Sequence, residues 1–174
     1  MVFFAKLADY VDRETFATKV EPTIINMFVD PVFMIREESA NTVIKLSKKL
    51  FDAAWLERIM STKLDELVRH ERFMLRIQTL HLINQLKEHI AEYNHDRIFA
   101  RHVFALAVDP VPNIRFNVSK TIANLFGNFQ AESKARAKEI LQVMAASDTD
   151  FDAKFFAQKT LDGLQGRVNE AHAP

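Results

Sequence analysis

Six histidines and no cysteine limit what this chain can do with a metal or a nucleophile. A bound metal needs imidazoles and carboxylates converging from adjacent helical turns or facing helices. His95 and His102 lie seven residues apart, and His81 and His89 eight apart. On a helix that is about two turns, too far for one ion to bridge without other ligands. His70-Glu71 is an acid-imidazole pair that occurs once. Gly127, Gly163 and Gly166 stand apart from any phosphate-cradling loop, and no serine or threonine can be matched to a base. The expected catalytic, metal and cofactor residues are therefore none, and the chain reads as a non-enzyme.

The charge balance points the same way. Lys+Arg and Asp+Glu both number 23, so there is no surplus of cations to hold a phosphate backbone, and nucleic acid is not an expected partner. Lys45, Lys48 and Lys49 read as the wet side of an amphipathic helix. The lack of cysteine fits a reducing compartment, so the expected location is the cytoplasm, with the nucleus also open. Met1 to Val11 is apolar, but Lys6 and Asp9 interrupt it. It reads as a leading helix rather than a leader peptide or membrane span, and no membrane role is expected.

What remains is binding, and the elements that would position it repeat. With 48% hydrophobic residues, three glycines and five prolines, the chain is rich in core-forming residues and poor in helix breakers. Asp30-Pro31-Val32-Phe33-Met34-Ile35-Arg36 recurs as Asp109-Pro110-Val111-Pro112-Asn113-Ile114-Arg115, with weaker copies at His70 to Arg76 and Asp148 to Lys154. The copies start at 30, 70, 109 and 148, in steps of 40, 39 and 39.

Apolar residues fall into columns on that register. Five places on stand Ile35, Leu75, Ile114 and Ala153; thirteen on, Val43, Ile83, Ile122 and Leu161; sixteen on, Leu46, Leu86, Leu125 and Leu164. That spacing is one face of a helix. A preceding helix is marked by Ile24, Leu64 and Val103, then Met27, Leu67 and Leu106, and in the fourth repeat by Ile140, Leu141 and Met144. Asp30 and Asp109 suit helix capping, with Pro31 and Pro110 at the first helical position. Arg36, Arg76, Arg115 and Lys154 form a column of cations that could pair with aspartates of neighbouring turns.

A paired-helix repeat of this length is in the HEAT range. The expected fold is all-α: a right-handed α-solenoid of about four helix pairs plus one leading helix. It covers residues 1–164 without a domain boundary, and residues 165–174 form a frayed tail. An uncovered leading helix would expose Phe3, Phe4 and Leu7, which predicts self-association or a low melting temperature.

The strings DPVFMIREESAN, DPVPNIRFNVSKTI and DTDFDAKFFAQKTL, in this order and spacing, resemble the C-terminal HEAT repeats of the protein phosphatase 2A scaffold (A) subunit family. The likeness runs from about Asp9 to Leu164. It implies a non-catalytic scaffold that holds a serine/threonine phosphatase catalytic subunit through the turns inside its repeats; the surface for the exchangeable regulatory subunit would be absent. His70-Glu71, in place of Asp-Pro, departs from the pattern. That pair is similar to the His-Glu pairs of deoxyhypusine hydroxylase, an iron enzyme of HEAT-like build, but that chemistry needs further copies. A HEAT adaptor for another partner, of the phosphatase 4 regulatory, transport or ubiquitin-ligase kind, is the alternative.

Three places into each turn stand Phe33, Phe73, Pro112 and Phe151, with Val32 and Val111 beside two of them. Apolar residues repeated on exposed turns would form a docking strip. The resemblance places the catalytic-subunit contact there too, with Phe33, Phe73 and Val111 at matching positions. Arg72 and Asn113 would add polar contacts. The competing reading makes these phenylalanines the first core residues of the helix that follows.

Overall fold

The computed structural model describes Lys6, Tyr10 and residues 12–91 and 94–171, with side chains as far as Gly166. The leading helix and its Phe3, Phe4 and Leu7 lie outside the described residues. Among those described, every regular element is helical and none is a strand, as in an α-helical solenoid.

From Arg13 on, the described residues form eight successive helices. α1 covers 13–29 and α2 Phe33–Lys49; α3 is Ala53–Leu67 and α4 Phe73–Leu86; α5 covers 96–108 and α6 Pro112–Leu125; α7 is Ala131–Ser147 and α8 Phe151–Ala171. The first helix of a pair ends at each sequence copy and the second begins there. α1 and α5 share a composite winding, with a π-helical stretch in the first half, Phe16–Val20 and Asp96–Ala100, and a closing 3₁₀ turn at Met27–Val29 and Leu106–Val108. In α1 the wide stretch ends next to Pro22, whose missing N–H removes one bond of the ordinary ladder. α8 carries through Gly163 and Gly166, past the point where the sequence suggests a tail.

By internal contacts the chain divides into two compact units, Met1–Leu64 with Glu88–Ile90, and Asp65–Lys87 with Ala91–Pro174. The repeat register carries no mark of this division. In repeat proteins each repeat touches mainly its neighbours, so contacts can divide where the sequence pattern is continuous.

The first unit is built on Phe16, Ile24, Phe28, Val43, Leu46 and Met60, all buried. Its outer seam is aromatic. Phe51 stacks on Trp55 with ring centroids 4.2 Å apart and meets Phe16 edge-on at 5.8 Å. The Trp55 indole N–H donates to Glu21 Oε2 at 2.7 Å, which gives a buried donor the partner it needs. Asp52 caps α3 by accepting the Trp55 backbone N–H at 2.8 Å.

In the second unit α8 packs on both α6 and α7. Leu75, Ile83, Val103, Ile114, Ile122 and Leu164 are buried there, as their columns require, while Leu161 and the first unit's Ile35 and Met27 are only half-buried. Each fully enclosed leucine or isoleucine contributes on the order of 2 kcal/mol.

Candidate functional site

The four turns share one construction. Asp30 Oδ1 accepts the Val32 N–H at 2.8 Å, Asp109 Oδ1 the Val111 N–H at 2.9 Å, and Asp148 Oδ1 the Asp150 N–H at 2.9 Å. In the second turn His70 Nδ1 does the same work, accepting the Arg72 N–H at 3.1 Å. Each is a side chain bonding the backbone two residues on, the Asx-turn pattern. Histidine can replace aspartate because its unprotonated nitrogen is also an acceptor at short reach.

This turn corrects the capping expectation. Asp30 and Asp109 stand before the caps, and Pro31 and Pro110 are not the first helical residues. The chain runs through Val32, Arg72 and Val111 in extended conformations (φ −87°, −77° and −89°) before winding. Phe33, Phe73, Pro112 and Phe151 are each the first residue of the second helix of a pair.

The exposures decide between a core and a surface role for the three phenylalanines. Phe33 is 47% exposed, Phe73 42% and Phe151 79%, with Val32 at 51%. They are not core residues. Arg72 and Asn113 are exposed as well, whereas Val111 and Pro112 are half-buried and offer less apolar surface than the phenylalanines. Two further exposed residues, one in each unit, escaped the sequence reading. Met34 and Met74 follow Phe33 and Phe73 directly and are 62% and 50% exposed. Their repetition in register was the available signal.

Val32 and Phe33 belong to the first unit; Arg72, Phe73, Val111, Pro112, Asn113 and Phe151 belong to the second. In the first unit the Arg36 guanidinium lies over the Phe33 ring, 5.6 Å from its centroid, and bonds the Asp30 and Pro31 carbonyls at 2.6 and 3.1 Å.

In the second unit the cation column is a ladder. Arg76 grips Asp109 with Nε to Oδ2 at 2.6 Å and a terminal nitrogen to Oδ1 at 3.0 Å. Its other nitrogen holds the carbonyls of His70 and Glu71 in its own turn at 3.0 and 2.9 Å. Arg115 repeats this one turn later, forked onto Asp148 and bonded to the Asp109 carbonyl at 2.8 Å. Three successive turns are thereby fastened side by side, and Phe73, Pro112 and Phe151 start helices from that fastened edge. Both guanidiniums are raised above their ordinary pKa, first by the hydrogen bonds to their carboxylates. Planar two-point contacts of this kind need arginine rather than lysine.

One histidine of the metal reading is held by local partners. His102 is buried, with Nδ1 2.6 Å from the Ile98 carbonyl oxygen and Nε2 2.9 Å from Asp65 Oδ1, and Arg101 also bonds Asp65 at 2.8 Å. No group of metal-binding residues occurs among the described residues. Nor is any helix among them long and apolar enough to cross a membrane.

No family model matches this chain, and no curated relative matches it. A solved structure is similar: the crystal structure of Cex1p, with a TM-score of 0.69 and 14% sequence identity over 99% of this chain and 33% of that one. At that identity the likeness speaks to the fold alone. The chain spans about a third of the length of Cex1p.

Proposed function

We propose that this chain is a non-catalytic scaffold whose repeat turns dock a serine/threonine phosphatase catalytic subunit. The observation that carries the docking surface is the exposure of Phe33, Phe73 and Phe151 at the first position of three second helices. Large apolar side chains left in water at a repeated position are what an interface uses as anchors. In the second unit the ladder supports the same reading, because turns tied by buried charged forks present their side chains with little motion to lose on binding. The partner's identity is supported by the sequence resemblance alone.

The test is direct binding of the purified chain to a purified phosphatase catalytic subunit, with Phe33→Ala, Phe73→Ala and Phe151→Ala beside Lys48→Ala as a remote control. Measurable affinity that falls with the ridge variants and not with the control is the expected result. A folded chain with no affinity would remove the phosphatase from the proposal. Ridge variants that bind as well as the parent would remove the ridge.

A further inference from the structure

Between α6 and α8, and lined by none of the turn residues, lies an open groove of about 360 Å³. Its lining includes Ala123, Phe156, Gly163 and Leu164, with Lys120, Lys159 and Asn124 also around it, and no carboxylate. Asp162, beside Gly163 in the chain, accepts a hydrogen bond from Gln158 at 2.8 Å.

Lys120 is held in place. Its ammonium lies 4.1 Å from the centroid of the Phe156 ring and 4.6 Å from that of Phe116, and those two rings are 5.3 Å apart. A cation seated on two ring faces is partly stripped of water and fixed in direction, yet it retains N–H donors that the rings do not use. The groove wall is fixed as well. Thr160 donates to the Ser119 carbonyl at 3.2 Å, and Asn124 donates to Asn84 at 2.9 Å. At Gly163 a side chain would meet nothing within 4 Å, so this stretch of the groove is open.

We infer that this groove binds an acidic peptide segment of a partner protein, one apolar side chain entering over Ala123 and Leu164 while flanking carboxylates reach Lys120 and Lys159. Charge complementarity selects this occupant: two ammonium groups without a carboxylate border a largely apolar hollow the size of one or two side chains. The inference uses no ridge residue and stands or falls separately from the phosphatase proposal.

The experiment is isothermal titration calorimetry of the full chain with the peptide Glu-Asp-Leu-Asp-Glu and with its uncharged counterpart Gln-Asn-Leu-Asn-Gln. The acidic peptide should bind saturably and more weakly as salt rises, and the uncharged one should bind at least about tenfold less tightly. Lys120→Met and Lys159→Met should each weaken binding by roughly tenfold, and Lys45→Met should leave it unchanged. Gly163→Leu separates occlusion from unfolding: it fills the opening while improving helix propensity, so the melting temperature should hold or rise as binding is lost. Equal affinity for the two peptides, no saturable binding, or insensitivity to both lysines and Gly163→Leu would overturn the inference. So would a single-stranded oligonucleotide that displaces the peptide with the same lysine dependence, or self-association of the chain that the same substitutions abolish.

Discussion

Arg115 meets Asp148 face to face, Nε 2.7 Å from Oδ2 and a terminal nitrogen 2.6 Å from Oδ1, with side-chain exposures of 11% and 5%. The pair is nearly out of water, so each ion depends on the other. Removing only the arginine strands a buried carboxylate. Arg115→Ala should cost about 3 kcal/mol or more of folding stability. The double variant Arg115→Ala with Asp148→Asn should recover part of that loss, and chemical denaturation of the four proteins of the cycle would measure the coupling.

The same pair predicts an acid dependence. The Asp148 carboxyl is held below its ordinary value, first by the hydrogen bonds from Arg115 and against the opposing effect of burial. A carboxyl depressed in the folded state adds stability that is present above its unfolded value, about 3.9, and is lost as pH falls through the folded value. Stability should therefore begin to drop below about pH 5. In Asp148→Asn the drop over that window should be shallower, which denaturation midpoints taken across a pH series would show. A parallel drop in both proteins would assign the acid sensitivity to other groups.

At the exposed turn phenylalanines, Phe33→Ala and Phe73→Ala should separate binding from folding. Both side chains are almost half exposed, so truncation should change stability by less than about 1 kcal/mol and weaken partner affinity by about 2 kcal/mol. Phe99→Ala, at a fully buried ring, should instead lower stability by about 3 kcal/mol or more. Melting curves and affinities for the three variants decide it. A stability loss at Phe33 matching that at Phe99 would make it a core residue after all.

The turn at His70 allows a substitution test of its unusual acceptor. His70→Asn keeps a short acceptor for the Arg72 N–H and should be close to neutral. His70→Ala leaves that N–H without its side-chain partner and should cost about 1 kcal/mol, as loss of a helix cap does. If both variants are equally stable at neutral pH, the 3.1 Å contact adds nothing to the fold.

The helical repeat was legible because it is written twice, in the apolar columns and in the turn residues at the same spacing. Leu46, Leu86, Leu125 and Leu164, the column sixteen places on, are all buried. The helix starts were misjudged by two residues, since aspartate followed by proline suits both a cap and an Asx turn, and only the backbone path through Val32 or Val111 tells them apart. The ladder was legible as a possibility, whereas its forked geometry depends on where the turns are set in space. Lys120 between Phe116 and Phe156 was not legible: Phe116 stands seven places into its copy and Phe156 eight into the next, so the rings share no column and only the packing of the two helices brings them together. The division into two units was equally silent in a register that does not break there.

Trp55 is the only tryptophan, and it lies in the first unit, stacked on Phe51 with its indole N–H on Glu21. The chain therefore carries a built-in optical reporter for one of its two parts. Indole emission should shift when the seam of Phe16, Phe51 and Trp55 opens and remain blind to events around Arg115. Far-ultraviolet ellipticity, by contrast, weighs the helices of both units. Followed together through a denaturant titration, the two signals will coincide if the chain melts as one body, and the gap between their midpoints is a direct measure of how unequally stability is shared between the units.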